Sequence, residues 1–393
     1  MARALVVGSN QNTNLGIVRA LGEAGHEVHL LVLNKGKRGR MPRFDAASRY
    51  IASVLTCRMD DDEGLVAKIN ALSKDEDPLF VFPSVDVATV MIDRNLNKLE
   101  NVVAPSVCGE QGMVEFYSDK FNQIELAKKA GLDVPWSRKV EPGDDIEVAI
   151  EGVPYPCFCK SIARYSGGKE YMQVCKDANE LAEYLAAAAK ERQAILVQEL
   201  LDVSCEYDLA GVGSESGAWV PLALTKLQAS QGSHHGITLK ARVYPSQELG
   251  DVAERIEKFV ELMEYRGVFD VDMLEANGRI YFCEMNLRPG TTTFGFTSAG
   301  ANLPAAFVRA YFDGALEPAK EAAQLKGLTF CNDYTLAQEV SEKVMTKGDA
   351  KKLLSSCDVR LVQNSNDPAP GRTFLAANAL KGLKKSLHPG RRG

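Results

Sequence analysis

Short apolar runs alternate with helix-like periodicity over residues 1–115. Strands are predicted at 4–7, 28–33 and 79–83, and an amphipathic helix at 15–24. Because strands that alternate with helices form a parallel sheet covered by those helices, this region is predicted to be an α/β domain. Polar residues follow the first strand, at the edge where open α/β sheets bind ligands. Neither a G-x-G-x-x-G fingerprint nor a P-loop is present, so no NAD or Walker site is predicted.

The rest of the chain is predicted to contain three further units. Residues 116–197 combine strands and helices around a polar glycine loop at 164–170 and are predicted to form a small α+β lid subdomain. Residues 198–325 are predicted to form a larger mixed unit that contains a hairpin of two strands. Residues 326–393 are predicted to form a C-terminal tail domain. The expected fold class is therefore a multidomain protein of α/β and α+β type.

The second strand of that hairpin carries the most informative pattern in the sequence. Glu284, Asn286 and Arg288 alternate along it, so their side chains point to one face. Asp272 lies on the first strand of the hairpin. A carboxylate, an amide oxygen and a guanidinium on one face can hold a divalent ion together with a polyphosphate. The alternative, that the two acidic residues are merely solvated, is less favoured because acidic residues are poor strand formers.

The face that Asp272 occupies depends on the length of the hairpin loop. A two-residue Asn277-Gly278 loop would place Asp272 opposite Cys283, on the wrong face for Glu284. A three-residue loop with its glycine in the left-handed conformation would restore the shared face. We therefore predict the odd-length loop. Asp270 lies on the same face as Asp272 and is an alternative ligand.

Composition and charge narrow the function classes. The 393 residues are 45% hydrophobic and 25% charged, which is ordinary for a globular protein of two to four domains. The net charge of −6 argues against a nucleic-acid binder. The chain opens directly into a strand without a signal peptide, and no apolar run is long enough to cross a membrane. A cytoplasmic protein is therefore expected.

The nine cysteines are odd in number and scattered, and none falls in a C-x-x-C pair. Neither zinc nor a disulfide framework is therefore indicated, and most cysteines are expected to be reduced core residues. Cys157 and Cys159 alternate on one predicted strand, where packing is favoured over a role as metal ligands.

A lysine and a glycine loop could contact phosphate. Lys160 ends a predicted strand just before the loop, where it can reach a phosphate. Ser166, Gly167 and Gly168 would offer backbone N–H groups without large side chains in the way. If this feature stood alone, a plain hairpin loop would be the better interpretation.

Two glutamates flank the junction that follows the predicted strand 195–197. Glu199 and Glu206 could serve a nucleoside, because a junction backbone can pair with the edge of adenine and a carboxylate can bind both ribose hydroxyls. Two surface glutamates at a linker would be the alternative for this pair alone.

Taken in order, these residues resemble the ATP-grasp superfamily over roughly residues 1–325. The resemblance implies the ATP-grasp fold, preceded by an N-terminal parallel α/β domain of the pre-ATP-grasp type. The residues that carry it are Lys120, Lys160, Ser166-Gly167-Gly168-Lys169, Gln198-Glu199, Leu201, Glu206, Asp272, Glu284, Asn286 and Arg288.

The resemblance implies how ATP would be bound. Lys120 and Lys160 would contact the α- and β-phosphates, and the lid loop would close over the γ-phosphate. Leu201 would offer its backbone to adenine with Glu199 nearby, and Glu206 would bind the ribose.

The resemblance also implies a metal site and a catalytic pair. Asp272, Glu284 and Asn286 would hold two Mg²⁺ ions, with Mn²⁺ as an alternative. Arg288 would stabilise the transferring phosphoryl group, and it is the expected catalytic residue together with Lys160. Many members carry Glu or Gln where this chain has Asp272, but Asp is also a hard oxygen ligand.

A reaction follows from the same resemblance. Most members activate a carboxylate as an acyl phosphate, which an amine or another nucleophile then attacks. The chain is most similar to carboxylate–amine ligases of the D-aspartate ligase type, through segments 84–86, 300–304 and 367–370. The expected partners are a small carboxylate, such as an amino acid, and an amine, and a homodimer is left open. The alternatives are an ATP-grasp carboxylase, a carboxylate–thiol ligase and a non-catalytic nucleotide-binding sensor.

Two features have no assigned role. His234 and His235 lie in a polar loop and could contact an anionic substrate, although a solvated loop is favoured. In the tail, Leu380, Leu383 and Leu387 share one helical face with lysines outside it, which would suit contact with an anionic membrane. Three leucines are a small anchor, so packing against the protein itself is favoured.

Overall fold

The computed structural model describes residues 1–36, 43–74, 76–162, 172–233, 236–317 and 325–387, with side chains up to residue 379. Within these residues the strands form three sheets. The predicted loop residues Ser166, Gly167 and Gly168 lie outside the described residues, and so do His234 and His235. The side chains of the three tail leucines are also outside them.

The first sheet covers the N-terminal region. It is built from β1 (Arg3–Gly8), β2 (Glu27–Asn34), β3 (Ile51–Arg58), β4 (Leu79–Pro83) and β5 (Val102–Val103), with helices α1 (Gln11–Glu23), α2 (Asp62–Leu72) and α3 (Asp86–Asp93). All of its strand pairs are parallel, in the order β3-β2-β1-β4-β5. The predicted parallel α/β domain is confirmed, but β3 was missed. It is an edge strand with alternate residues exposed, so it lacks the continuous apolar run of the buried strands.

The second sheet is small and antiparallel. The chain reaches it through β6 (Ser106–Val107), α4 (Met113–Tyr117) and α5 (Lys120–Ala130). Its strands are β7 (Ser137–Val140), β8 (Cys157–Ser161), β9 (Gln173–Cys175) and β10 (Ile195–Glu199), and α6 (Ile146–Ile150) and α7 (Ala178–Lys190) pack on it. The order is β7-β10-β8-β9. The strands predicted on both sides of the glycine loop are present, whereas β7 was not predicted because its sequence is mostly polar.

The third sheet is the largest. Its main strands are β11 (Val203–Ser214), β12 (Gly217–Ala229), β13 (Thr238–Pro245), β14 (Tyr265–Ala276), β15 (Arg279–Asn286), β16 (Leu328–Cys331) and β17 (Val359–Arg360). They follow the order β15-β14-β11-β12-β13-β16-β17, and β6 pairs with β14. Because β16 and β17 extend this sheet, the tail shares it with residues 198–325. The domain boundary at 325 stays a prediction.

The helices of this part of the chain complete the architecture. They are α8 (Val252–Met263), α9 (Thr293–Ser298), α10 (Leu303–Asp313) and the tail helices Asp333–Ser341, Lys347–Ser355 and Pro368–Leu387. Short 3-10 helices lie at Asp45–Ala47, Leu96–Lys98 and Ser246–Leu249. Among the residues that the structure describes, no helix has both the length and the apolar character of a membrane span.

The two faces of the large sheet pack against different partners. Val268 of β14 belongs to the core shared with the N-terminal sheet, α9 and α10, together with Phe82 and Phe296. Val271 belongs to the core formed with α8, where Phe259 is fully buried. Because side chains alternate along a strand, the even-numbered residues of β14 face the N-terminal domain. The predicted ligands Asp270 and Asp272 are even-numbered, so they lie on the side where the two units meet.

A buried ion pair fastens the tail to the N-terminal domain. The Arg19 and Asp367 side chains are completely buried, with Nε 3.0 Å from Oδ2. The Arg19 guanidinium also donates to the carbonyl oxygens of residues 361 and 362, each at 2.8 Å. Asp367 accepts from the Ser48 hydroxyl at 2.8 Å and from the Arg49 N–H at 3.0 Å. The Asp367 carboxylate thus links the tail to the N-terminal domain.

Replacing Asp367 with asparagine should destabilise the protein strongly. The substitution leaves the buried Arg19 charge uncompensated, so we expect the free energy of unfolding to fall by about 3–5 kcal/mol. Urea unfolding followed by circular dichroism would measure it. The control is Asp60→Asn, which removes an exposed partner of Arg58 and should change stability little. Equal losses in both variants would contradict a special role for the buried pair.

Candidate active site

The hairpin that carries the predicted metal ligands closes with a two-residue loop. Ala276 pairs with Arg279, and Asn277 and Gly278 have φ values of 51° and 71°. Both values are positive, as the tight turns favoured by Asn-Gly require. The prediction of a three-residue loop was therefore wrong.

A β-bulge in β15 restores the shared face instead. The register shifts between Asp272 and Met273, so that Met273 pairs with Phe282 while Asp272 pairs with Glu284. Cys283 is the extra residue of the bulge, because it lies between those two partners. Asp272 and Glu284 therefore share a face, as predicted, but the bulge rather than the length of the loop brings them together.

The same face continues across the next two strands. In β11, Asp208 lies opposite Asp272, and Glu206 follows on the same face. Lys226 of β12 places its Nζ 2.8 Å from Glu206 Oε2 and 3.8 Å from Asp208 Oδ1. The sequence reasoning missed Asp208 and Lys226. The signal that could have found them is the one used for Asp272, namely a charged residue inside an otherwise apolar strand.

Burial and mutual repulsion shape the protonation of this face. Asp208 is 5% exposed, and burial together with the neighbouring Asp272 raises the pKa of the Asp208 carboxyl well above its ordinary value. Burial alone would lower the pKa of Lys226, but the charges of Asp208 and Asp272 outweigh that effect and raise it. Burial therefore favours the neutral form of the Asp208 carboxyl, whereas the lysine beside it remains protonated.

Lys120 reaches this face because its helix is docked on the edge strand β15. The buried Gln123 side chain donates to the Met285 carbonyl at 2.9 Å and accepts from the Met285 N–H at 2.8 Å. Asp119 caps the start of the helix by accepting from the Phe121 N–H at 2.8 Å. Lys120, the first helical residue, then lies with Nζ 2.8 Å from Glu284 Oε2. A predicted phosphate ligand thus contacts a predicted metal ligand.

Arg288 connects the carboxylate face with the N-terminal domain. Its Nε lies 2.7 Å from Asp86 Oδ1, at the start of α3, and its Nη2 donates to Asn286 Oδ1 at 3.3 Å. Asn286 in turn donates to Asp272 Oδ2 at 3.4 Å. Arg288 therefore bridges the carboxylate face and the N-terminal domain.

A cavity of about 250 Å³ lies in front of this face. Asp208, Asp272, Asn286 and Arg288 line it on one side, and Thr291 and Thr292 line it on another. The Thr291 hydroxyl is 3.2 Å from that of Thr13, near the start of α1. The cavity is therefore lined mainly by polar residues, and the N-terminal domain contacts its wall through Thr13.

The remaining predicted nucleotide residues lie near the junction of the two antiparallel sheets. Lys160 is 9% exposed in β8, opposite Leu196 of β10. The Glu199 carboxylate accepts from the Trp136 N–H at 2.9 Å, so it braces the end of β10. Leu201 is half-buried between β10 and β11, and the Glu206 carboxylate pairs with a lysine.

Comparisons with known proteins agree with the fold. The family model of the ATP-grasp domain matches residues 125–303. The carbamoyl phosphate synthase large chain of Clostridium beijerinckii is 22% identical over 282 residues, covering 70% of this chain but only 25% of that protein. The chain thus spans about a quarter of the length of that relative.

Two solved structures show the same fold. The ADP complex of purK, N5-carboxyaminoimidazole ribonucleotide synthetase, has a TM-score of 0.63 at 17% identity, covering 87% of this chain and 84% of that one. The L-amino acid ligase from Bacillus licheniformis has a TM-score of 0.60 at 13% identity, covering 83% and 79%. Residues 125–303 match the ATP-grasp domain, and the chain has the ATP-grasp fold with the N-terminal parallel sheet before it.

A glycine beside the carboxylate face provides a test of its packing. A Cβ on Gly290 would clash with the Asp270 carboxylate. Gly290→Ala should therefore lower the free energy of unfolding by about 1–3 kcal/mol, as overpacking does. Urea unfolding would measure this loss. Gly143→Ala is the matched control, since nothing lies within 4 Å of the added Cβ there. If both glycines tolerate alanine equally, the close approach at Gly290 is not real.

Proposed function

We propose that the protein is an ATP- and Mg²⁺-dependent ligase that activates a carboxylate as an acyl phosphate and joins it to an amine. The observation that carries the proposal is the register of the hairpin, which pairs Asp272 with Glu284 and Asp270 with Asn286 on one face. Arg288 and Lys120 flank that face with positive charge. Phosphoryl transfer needs this combination of anionic metal ligands and cationic groups.

The residues present fit a divalent cation of the Mg²⁺ class. Asp272, Glu284 and Asn286 offer carboxylate and amide oxygens, which are the hard donors that Mg²⁺ prefers. Asp208 adds a further buried carboxylate beside Asp272. Two ions, with Mn²⁺ as an alternative, remain our proposal for this site. When bound, the ions would neutralise the charge of the phosphates.

The nucleotide is proposed to lie between the small and the large sheet. Lys120 and Lys160 would contact the α- and β-phosphates. Leu201 would pair its backbone with adenine, while Glu199 would hold the end of β10 in place through its bond to Trp136. Glu206 would bind the ribose hydroxyls.

The lid loop is proposed to complete the phosphate site. Its residues Ser166, Gly167 and Gly168 lie outside the described part of the chain, so their role rests on the sequence alone. They would donate backbone N–H groups to the γ-phosphate.

The reaction needs positioning and charge neutralisation more than acid–base catalysis. A carboxylate oxygen of the substrate attacks the γ-phosphorus, the bond to the β,γ-bridging oxygen breaks, and ADP leaves. The amine nitrogen then attacks the acyl carbon, inorganic phosphate leaves, and the nitrogen loses a proton. Arg288 stabilises the phosphoryl group from the side of the polar cavity.

ATP-dependent carboxylation is the second candidate. It is supported by the likeness in fold to purK, whose structure contains ADP. In that case bicarbonate would take the place of the organic carboxylate. A carboxylate–thiol ligase would use the same ATP residues, and a non-catalytic sensor would bind ATP without turnover.

Release of ADP and phosphate from ATP and Mg²⁺ separates these functions. The purified chain would be tested with amino acids singly, in pairs with amines, and with bicarbonate or a thiol. Release that needs a carboxylate and an amine together would support the proposal. Release with bicarbonate would support carboxylation. ATP binding without release under any condition would overturn the ligase proposal in favour of the sensor.

Arg288→Ala tests the role of the arginine. ATP affinity should stay within about an order of magnitude while kcat falls by about 10²-fold or more, because the lost interaction is made in the transition state. Steady-state kinetics and ATP titration would separate the two effects. Arg255→Ala, on the exposed side of α8, is the control and should leave both unchanged. An equal loss of ATP binding and turnover would make Arg288 a ground-state anchor instead.

Glu284→Gln tests the metal face. The variant keeps the size of the side chain but removes the charge, so Mg²⁺-dependent turnover should be abolished. Activity across a Mg²⁺ titration would measure this. Glu275→Gln is the matched control, because Glu275 lies on the opposite face of the same hairpin. Retained Mg²⁺-dependent activity in Glu284→Gln would refute the assignment.

A further inference from the structure

Three cysteines converge inside the small sheet, away from the carboxylate face. Cys157 and Cys159 alternate along β8, so they share a face, and Cys175 of β9 lies directly opposite Cys157. The three sulfurs all lie within 4.8 Å of one another, with 3.9 Å between those of Cys159 and Cys175. All three side chains are completely buried. The sequence favoured packing because it did not reveal that Cys175 joins the other two.

The spacing of the sulfurs matches a metal with three sulfur ligands. A metal–sulfur bond is about 2.3 Å long, so a flat three-sulfur complex would separate its sulfurs by about 4.0 Å. The observed 3.9 Å between Cys159 and Cys175 is close to that value. Only small side-chain adjustments would bring the third sulfur to the same distance.

The surroundings of the cluster favour a soft monovalent ion. Apolar side chains from α7 and from β10 pack around the sulfurs, including Leu181, Leu185 and Val197. A net charge is costly in such surroundings. A divalent ion needs two thiolates to form a neutral complex, whereas a monovalent ion needs only one thiolate, with the other two sulfurs remaining thiols. Thiolates select soft ions such as Cu(I).

The coordination number points in the same direction. Within the described residues, the cluster of Cys, His, Asp and Glu ligands contains only these three cysteines. Structural zinc sites almost always use four protein ligands.

We infer that Cys157, Cys159 and Cys175 form a binding site for one soft monovalent metal ion of the Cu(I) class. One S–H bond breaks and one S–Cu bond forms, and the proton passes to solvent. The other two thiols bind through sulfur lone pairs and keep their protons, and copper remains Cu(I) throughout. The site does not depend on the proposed ligase reaction.

Access to the buried sulfurs is provided by the edge of the sheet. Cys175 lies on β9, a three-residue edge strand whose one pairing partner among the described residues is β8. Short edge strands open locally at low free-energy cost. Burial raises the pKa of all three thiols, so the free protein holds them protonated and uncharged.

An anaerobic titration of the reduced full-length chain with Cu(I), against a chromogenic Cu(I) chelator, tests the inference. The wild-type chain should hold one equivalent in competition with the chelator. Cys159→Ala and Cys175→Ala, on different strands, should each weaken that binding by more than about 10²-fold, since they remove ligands rather than outer-shell partners. Thermal melting of the variants would show that they are folded.

Two control variants locate the ion within the chain. Cys57→Ala removes a buried cysteine outside this cluster, and Cys357→Ala removes one of a second neighbouring pair with Cys331. Neither substitution should change the binding of one equivalent of Cu(I) in competition with the chelator. Loss of high-affinity Cu(I) binding in Cys357→Ala would overturn the inference. Retention of that binding in both Cys159→Ala and Cys175→Ala would also overturn it.

X-ray absorption of the loaded wild-type chain provides a readout that needs no variant. We expect three sulfur neighbours at about 2.3 Å from copper. Two sulfur neighbours, or nitrogen and oxygen neighbours, would overturn the three-cysteine site even if the variants failed to fold.

Discussion

The crowding of carboxylates on one face of the large sheet is the constraint around which the site is organised. Asp208, Asp270, Asp272 and Glu284 lie on adjacent strands with paired registers. Two like charges about 4 Å apart repel by about 4 kcal/mol at an effective dielectric constant of 20. Such a face is stable only when cations lie beside it or when some of its carboxyls are protonated. The raised pKa of Asp208 shows the second response.

The cationic side chains that offset the negative charge of the carboxylates come from separate parts of the chain. Lys226 belongs to the large sheet itself, Lys120 to the helix docked on its edge, and Arg288 to the segment that follows the hairpin. Arg288 is held in turn by Asp86 of the N-terminal domain. Charge balance therefore couples the N-terminal domain, α5 and the large sheet at one point. Elsewhere the N-terminal domain is joined to the large sheet by apolar packing and to the tail by the buried Arg19–Asp367 pair.

The sequence predicted which residues of the hairpin share a face better than it predicted the backbone of the hairpin. Alternation along β15 correctly placed Glu284 and Asn286 on one face, because the period of a strand is local. The loop was wrong because the parity of a hairpin can be restored either at the turn or by a bulge, and composition does not distinguish the two. The Asn-Gly pair favoured the tight turn, and the bulge at Cys283 was left out of the prediction.

The residues that were missed depend on contacts between distant segments. Asp208 and Lys226 become part of the site only because β11 lies between β14 and β12, an order that local patterns do not reveal. The strands β3 and β7 were missed because edge strands lack a continuous apolar run. In each case the missing information is tertiary rather than local.

The docking of α5 on β15 has a consequence beyond the placement of Lys120. β15 is the last strand of its sheet, and a free strand edge is a template on which another chain can add a strand. Gln123 occupies both backbone groups of Met285, and the Asp133 carbonyl accepts from the Phe282 N–H at 2.8 Å. These contacts block intermolecular β-pairing along β15 at these positions. The helix that positions Lys120, together with the residues that follow it, therefore also protects the molecule against edge-to-edge aggregation.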